Sequence, residues 1–163
     1  MLVVRDRGVV IEFGYEELLR YHGPSSPGGV AHAFKVMERA LPLLSDELLE
    51  RRRVFVRTAF GGPGARDAFE AVLRAVTGER YVVDLTLGRA DLGRERERFV
   101  FELAHRGASV KLVLREGFVT PEFIDLARRE YRSDADEARL DELKRDMASR
   151  VMAADAADVY EPT

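Results

Sequence analysis

The sequence predicts an α+β fold in which a largely antiparallel sheet packs against helices. Runs of β-branched and aromatic residues alternate with segments whose apolar residues recur at helical spacing. Two glycine-rich segments each stand directly before one of these helical segments. With 163 residues, 46% of them hydrophobic, the chain has the size of one domain and can bury a core of its own.

The first quarter of the chain is predicted to hold a hairpin or one bent strand, followed by two helices. Two β-branched runs, residues 2–4 and 9–13, flank a short segment that contains a glycine. The spacing of apolar residues predicts a two-turn helix over residues 15–21 and a longer helix over residues 30 to about 42. Between them, residues 22–29 (HGPSSPGG) contain three glycines and two prolines, which predicts an irregular loop.

The middle of the chain is predicted to contain a strand, a helix and a second strand. Residues 53–60 alternate β-branched with other side chains, as is typical of a strand. The segment GGPG (61–64) follows directly and opens a helix over residues 65–76. A second strand is predicted over residues 81–87, and the charged segment 88–98 is predicted to be an exposed connection.

The next elements are a second hairpin and a helix. Residues 99–104 and 110–114 are predicted to be the strands of this hairpin, with Gly107 supplying positive φ in the turn. A helix is predicted over residues 120–131, because the segment starts with threonine and proline, which favour the N-cap and N1 positions.

We predict that residues 1–132 form a single α+β domain and that residues 133–163 add a C-terminal helix and a loose tail. Ser133 is a suitable N-cap for this helix. Its apolar residues form one narrow stripe, which suits docking on another surface; they are Leu140, Leu143, Met147 and Val151. The stripe is equally compatible with a dimer interface and with packing on its own domain.

The composition excludes several classes of function. Because cysteine is absent, the chain has no disulfide, thiolate nucleophile, zinc ribbon or iron–sulfur cluster. The net charge is −3 and the arginines are scattered among acidic residues, which argues against a nucleic-acid partner although 23 of the 26 basic residues are arginine. The sequence has neither a membrane-length apolar stretch nor a signal-peptide core, so we expect no membrane partner and a cytoplasmic location.

The first candidate site is the loop of residues 22–29. Free N–H groups at the start of the following helix and the hydroxyls of Ser25 and Ser26 suit an anion or another small ligand. His22 stands at the start of the loop and is a type of side chain that can titrate near neutral pH. The alternative is a tight helix–helix connection in which His22 makes a structural hydrogen bond.

The second candidate site is the segment FGGPGARDAF, where a strand leads through glycines into a helix. Glycine lets a backbone approach a phosphate closely, which makes Gly64 a candidate binding residue. Arg66 and Asp67 in the first helical turn are further candidates, as is Arg57 on the preceding strand. The segment matches neither a P-loop nor the dinucleotide fingerprint. The alternative is a close-packed turn in which Asp67 only complements the helix dipole.

The histidines are candidates for a divalent metal site. His32 falls early in the second helix and could lie near His22, and two histidines with a carboxylate suffice to hold a metal ion. Their spacing matches no standard zinc pattern. For His105 we expect a solvated or core position.

Taken together, the two loops resemble those of a known family. The matching segments are YEELLRYHGPSSPGGVAHAFKVMERAL, RRVFVRTAFGGPGARDAFEAVLRAVTGERYVVDL and FVFELAHRGASVKLVL. The order of elements and the shared His-Gly, Pro-Gly and Asp-Ala pairs, over about residues 15–116, resemble the FmdE-like family, which is named after a component of formylmethanofuran dehydrogenase. In that family a short helix leads into a His-Gly-His-x-Cys-Pro-Gly loop, and a Cys-Gly-x-Asp-Ala motif starts a later helix.

The chain departs from this family at the residues that carry its metal chemistry. The family's first histidine corresponds to His22, but its second falls on Pro24, its loop cysteine on Ser26 and its later cysteine near Gly64. Serine is a poor substitute for a thiolate, because its hydroxyl stays protonated near neutral pH and is a hard oxygen ligand. The resemblance therefore implies the α+β fold, with additional C-terminal helices here, and the position of a cleft.

Two functions from different classes follow from these observations. The first is the binding of a small-molecule ligand or a divalent metal at a cleft between the two glycine loops, with His22 as the titrating group. The second is a non-catalytic interaction module that forms a homodimer through its sheet or its C-terminal helix.

Overall fold

The computed structural model, which describes residues 1–163, contains two sheets and six α-helices. The N-terminal segment is a hairpin, not one bent strand, because β1 (Leu2–Asp6) pairs antiparallel with β2 (Val9–Phe13). The second sheet contains β3 (Phe55–Thr58), β4 (Tyr81–Val83), β5 (Val100–His105), β6 (Ala108–Leu114) and β7 (Tyr160–Pro162). The helices are α1 (Tyr15–His22), α2 (Pro27–Leu44), α3 (Pro63–Leu73), α4 (Pro121–Arg128), α5 (Asp134–Ala153) and α6 (Ala156–Val159).

The five-stranded sheet has the order β4-β3-β5-β6-β7, and only β3 and β4 run parallel. The β5–β6 hairpin turns through Arg106 and Gly107, which both have positive φ, as the glycine predicts. The predicted α+β class with a largely antiparallel sheet is confirmed.

The central helix of the core is α2. All of its residues from Gly28 to Met37 are buried, because it packs against α3 and α5 as well as against β5 and β6. A single cluster of 33 buried apolar residues takes members from the hairpin, the helices and the sheet, so these elements share one core. Neither α2 nor any other helix is long and apolar enough to cross a membrane.

Both α2 and α3 begin earlier than the apolar spacing predicts. The helix α2 starts at Pro27 instead of Val30, and α3 starts at Pro63 instead of Ala65. Proline at N1 is favourable because its missing N–H needs no acceptor there. The glycines that follow each proline therefore belong to the first helical turns and not to loops.

The ends of these helices also differ from the prediction. The helix α2 passes Pro42 and ends at Leu44. The helix α3 stops at Leu73, before the predicted end at Val76, because Arg74 adopts the left-handed conformation with φ 52°. The strands β3 and β4 are shorter than predicted, and a 3₁₀ turn follows β4.

The C-terminal tail, which the sequence predicts to be loose, is regular structure. After the short helix α6, strand β7 pairs antiparallel with β6. Tyr160 is completely buried, and its hydroxyl is 2.8 Å from Nδ1 of His32. The apolar stripe of α5 is also buried, with Met147 and Val151 in the main core cluster. The stripe is therefore occupied by its own chain.

Candidate functional site at the two glycine segments

The two glycine segments meet where α2 and α3 begin. A Cβ atom on Gly64 would clash with the carbonyl oxygen of Ser26 and would lie 3.0 Å from the amide nitrogen of Val30. A Cβ atom on Gly29 would lie 3.1 Å from the amide nitrogen of Ala65. The absence of side chains at these two glycines is thus what lets the helix starts touch, as the interpretation of close-packed turns requires.

A hydrogen-bonded series of three side chains crosses this junction. The imidazole of His22, at the end of α1, donates from Nδ1 to Oδ2 of Asp67 over 2.7 Å. The Ser25 hydroxyl lies 3.2 Å from Nε2 of the same ring. In the neutral imidazole whose proton lies on Nδ1, toward the carboxylate, Nε2 accepts the Ser25 hydroxyl proton. We call these three residues the Ser25–His22–Asp67 series.

Burial differs along this series. The His22 side chain is only 4% exposed and that of Asp67 is 29% exposed, whereas Ser25 lies at the surface. Arg66 is beside the series, with its guanidinium 3.5 Å from Oδ1 of Asp67, but its side chain is 55% exposed. The series therefore runs from a half-buried carboxylate through a buried imidazole to a solvent-accessible hydroxyl.

The C-terminal helix also contributes to this site. Lys144 of α5 donates a hydrogen bond from Nζ to the backbone carbonyl of Ser25 over 3.1 Å. The loop of Ser25 is therefore held between α1, α3 and α5. This contact joins residues that are 119 positions apart in the sequence.

A cavity of about 400 Å³ opens beside the junction, and we call it the cationic cavity. Ser26, Gly29 and residues 60–64 form one of its walls. Its cationic lining residues are Arg94, Arg98, Arg128, Arg132 and Lys144. No aspartate or glutamate lines it. Its apolar surface comes from Phe60, Phe99, Phe123, Ile124, Ala127, Leu140 and Met147.

The five cationic side chains differ in their partners. Three arginines pair with carboxylates that do not line the cavity; the pairs are Arg94–Asp125, Arg128–Glu97 and Arg132–Glu137. Lys144 has no carboxylate partner and bonds only to the Ser25 carbonyl. Arg98 has neither an ion pair nor a hydrogen bond. These two charges are the ones free to meet an anion.

Two of the candidate residues lie apart from this site. Arg57 projects from the outer face of β3 and pairs with Asp84 at 3.5 Å and with Glu102 at 3.4 Å. His32 lies in the core against Phe99 and Tyr160, and burial lowers its pKa to about 3. It is therefore a neutral core residue.

The two histidines of the predicted metal site share no hydrogen-bond partner. His22 bonds to Asp67 and Ser25, whereas His32 bonds to Tyr160. No group of three or more histidine, aspartate and glutamate side chains is arranged to hold a metal ion. His105 is also buried, and this burial, together with the nearby charges of Arg106 and Arg53, lowers its pKa.

The sequence interpretation misses the cationic residues of the cavity. Arg94 and Arg98 lie in the segment that the sequence predicts to be an exposed connection, and the fold brings them to the glycine segments. Arg128 and Arg132 lie at and after the end of α4, one helical turn apart in sequence. The only signal in the sequence is this spacing of arginines by four positions, which is also typical of a solvated surface.

No model of a known protein family matches the chain, and no curated protein matches it.

Proposed function

We propose that this chain binds a small organic anion in the cationic cavity. The observation that carries the proposal is the lining itself, in which five cationic side chains and several aromatic rings surround about 400 Å³ without any carboxylate. Binding cavities for small molecules have volumes of about 300–1,000 Å³ and combine an apolar wall with a few polar groups. The same charges would repel a divalent cation, so an anion is the better ligand class.

The start of each long helix adds to the positive potential of the cavity. Ser26 and Gly29 of α2 line it, as do Pro63 and Gly64 of α3. The N–H groups of a first helical turn have no intrahelical acceptor, and the helix dipole is positive at this end. Neither N-cap residue caps its helix with a side-chain hydrogen bond. The amide groups of both helix starts are thus not occupied by a side-chain cap.

The aromatic rings indicate that the ligand also has an apolar part. Phe60 and Phe99 stack with their ring centroids 4.7 Å apart, and both line the cavity. Phe123 and Met147 extend the apolar surface from α4 and α5. A ligand with one anionic group and a flat apolar body would bury both parts.

A fluorescence titration with anilinonaphthalene sulfonate tests this proposal, because this probe combines a sulfonate with aromatic rings. The variants Arg98→Gln and Lys144→Gln should each weaken its binding about tenfold, the loss of roughly one charge-assisted contact. The matched controls Arg115→Gln and Lys111→Gln remove the same charges away from the cationic cavity and should leave the binding unchanged. Equal affinity in all four variants would contradict the proposal.

We also propose that the chain shares its fold with the FmdE-like family. The positions that correspond to the two cysteines of that family are Ser26 and Gly64, and a Cβ atom on Gly64 would lie 3.2 Å from that of Ser26. Positions that carry the two cysteines in the family are thus adjacent in space here. In this chain the two positions carry the hydroxyl of Ser26 and the hydrogen atom of Gly64, so they supply no thiolate to a metal.

A homodimer formed through the open face of the sheet is the second candidate function. Helices cover one face, whereas Phe55 of β3 is 56% exposed on the other and Val82 of β4 is also exposed there. The apolar stripe of α5 packs on its own chain, which leaves the sheet as the available surface. Light scattering of Phe55→Asp beside the unmodified chain tests this: a dimer that becomes a monomer supports the interface, and an unchanged mass contradicts it.

A further inference from the structure

We propose that Ser25 is the nucleophile of an acyl-transfer site that hydrolyses esters. A nucleophile, a base and a group that orients the base, each within hydrogen-bond reach of the next, are the signature of an activated serine. The distances from Oγ of Ser25 to Nε2 of His22 and from Nδ1 of His22 to Oδ2 of Asp67 are 3.2 Å and 2.7 Å. This inference rests on the proposed function in one respect: the cationic cavity would bind the anionic part of the ester.

The order of burial along the series suits this chemistry. A purely structural contact needs only the bond between Asp67 and the buried His22, which ties the end of α1 to α3. The hydroxyl of Ser25 is exposed and could be solvated by water, yet it lies against Nε2. The reactive atom is thus at the surface and its base is shielded, as a nucleophile that must meet a substrate requires.

The protons and bonds of the reaction balance within this series. As Oγ of Ser25 attacks the acyl carbon, its proton passes to Nε2 of His22, and Asp67 stabilises the resulting imidazolium. The ester C–O bond then breaks, and the leaving alcohol takes the proton from Nε2. A water molecule gives a proton to the same nitrogen and attacks the acyl carbon. The bond between this carbon and Oγ then breaks, Nε2 returns the proton to Oγ, and a carboxylic acid leaves.

A helix N-terminus and a lysine lie close to Ser25 along the chain and in space, and groups of this kind stabilise an oxyanion intermediate. The helix α2 begins two residues after Ser25, and the N–H groups of Gly28 and Gly29 have no acceptor in the chain. Lys144 binds the Ser25 carbonyl and also lines the cationic cavity. The substrate class that fits both features is an ester with an anionic group on a short apolar body.

The first test is covalent labelling of the full chain with a fluorophosphonate, read by intact mass and peptide mapping. In this reaction the Oγ–P bond forms, fluoride leaves and His22 takes the proton. We expect one adduct, on Ser25, and no adduct on Ser25→Ala. The variant His22→Ala should be labelled at least about 100-fold more slowly, since a general base contributes that much. The control Ser109→Ala, an exposed serine on β6, should be labelled like the unmodified chain.

The second test separates a positioning role of Asp67 from a structural one. Hydrolysis of nitrophenyl acetate by Asp67→Asn should show a kcat reduced about 100-fold with little change in KM. A structural role alone would lower the melting temperature and leave the kcat of the folded fraction unchanged. That result, or labelling of an unmodified chain at a serine other than Ser25, or no labelling at all, would overturn the proposal.

The two proposals fail in distinguishable ways. If the acyl-transfer proposal is correct, Ser25→Ala loses labelling and still binds anilinonaphthalene sulfonate like the unmodified chain. Absence of probe binding in a chain that labels at Ser25 contradicts only the cationic cavity. Probe binding without labelling contradicts only the acyl-transfer site.

Discussion

The two ends of α3 are built in opposite ways. At its N-terminal end, the first turn contains Gly64 in contact with α2, and its amide groups are not capped by a side chain; Asp67 of the series follows in the second turn, because α3 begins at Pro63. At its C-terminal end, two guanidiniums satisfy the last carbonyls. Arg51 donates to the carbonyls of Ala71 and Val72, and Arg80 donates to those of Leu73 and Arg74.

The difference shows that hydrogen bonds stabilise the C-terminal end of α3, whereas the amide groups at its N-terminal end have no side-chain cap. The last four carbonyls of a helix lack intrahelical donors, and a cation near them also complements the dipole. Burial lowers the pKa of both guanidiniums, while Asp6 beside Arg51 and Glu70 near Arg80 act in the opposite direction. The C-terminal end is thus a closed polar network, and the N-terminal end is open to a ligand.

The largest effect should come from the closed end. Arg80→Met removes the donors to three carbonyl oxygens, those of Val54, Leu73 and Arg74. Leaving such buried groups without partners should lower the free energy of unfolding by about 3–5 kcal/mol. Urea unfolding measures this, with the exposed and unpaired Arg20→Met as the matched control, which should change it by less than about 0.5 kcal/mol. Equal losses of unfolding free energy in both variants would mean that the hydrogen bonds of Arg80 do not stabilise the fold.

The next largest effect tests the contact between the helix starts at the open end. Gly64→Ala places a methyl group against the Ser26 carbonyl, a backbone atom that cannot move independently. We expect a loss of about 2–3 kcal/mol, as for overpacking of a core. Gly61→Ala is the control, because no atom lies within 4 Å of its Cβ position and its φ is not positive. Equal melting temperatures of the two variants would show that Gly64 is not in close contact with the Ser26 carbonyl.

The fold is predictable from the sequence largely where local pattern decides it. The alternation in β3 and the helical spacing in α1 and α5 are local properties. The start of α2 at Pro27 is not predictable, because two glycines in a first turn disfavour a helix unless packing requires them. The C-terminal strand escapes prediction because it has three residues, and its burial depends on contact with His32, 128 positions away.

The candidate site is predictable as a set of residues and not as an arrangement. His22, Ser25 and Asp67 stand out because they are polar residues in or close to the two glycine-rich segments. Their mutual hydrogen bonds join positions up to 45 residues apart, so they follow only from how α1 packs on α3. Arg57 is predicted from its position before the glycines, but alternation along β3 places its side chain on the outer face.

A smaller effect on the free energy of unfolding, which depends on pH, should come from Glu70 at the C-terminal end of α3. Burial of Glu70 raises its pKa, but hydrogen bonds from Thr77 and Val76 and the charge of Arg74 outweigh burial, so the net pKa is lowered from the ordinary 4.5. A lowered pKa means that the carboxylate stabilises the fold above the unfolded-state pKa, and this stability is lost as pH falls through the folded-state value. Glu70→Gln should therefore cost about 1 kcal/mol at neutral pH.

The same variant should match the unmodified chain once acid has protonated Glu70. Urea unfolding of both chains at neutral pH and at acidic pH, below the folded-state pKa, measures this convergence. If the two chains differ by the same free energy of unfolding at both pH values, the charge of the Glu70 carboxylate does not stabilise the C-terminal end of α3.

The smallest effect should come from Arg66 at the open end. Its ion pair with Asp67 is 3.5 Å long and the Arg66 side chain is more than half exposed; exposed pairs contribute about 0–1 kcal/mol. A cation in the first turn is opposed by the helix dipole by about 0.3–1 kcal/mol, so the two contributions nearly cancel. Arg66→Gln should therefore leave the free energy of unfolding, probe binding and labelling of Ser25 unchanged. If Ser25 is labelled more slowly in this variant, Arg66 also belongs to the site at the N-terminal end of α3.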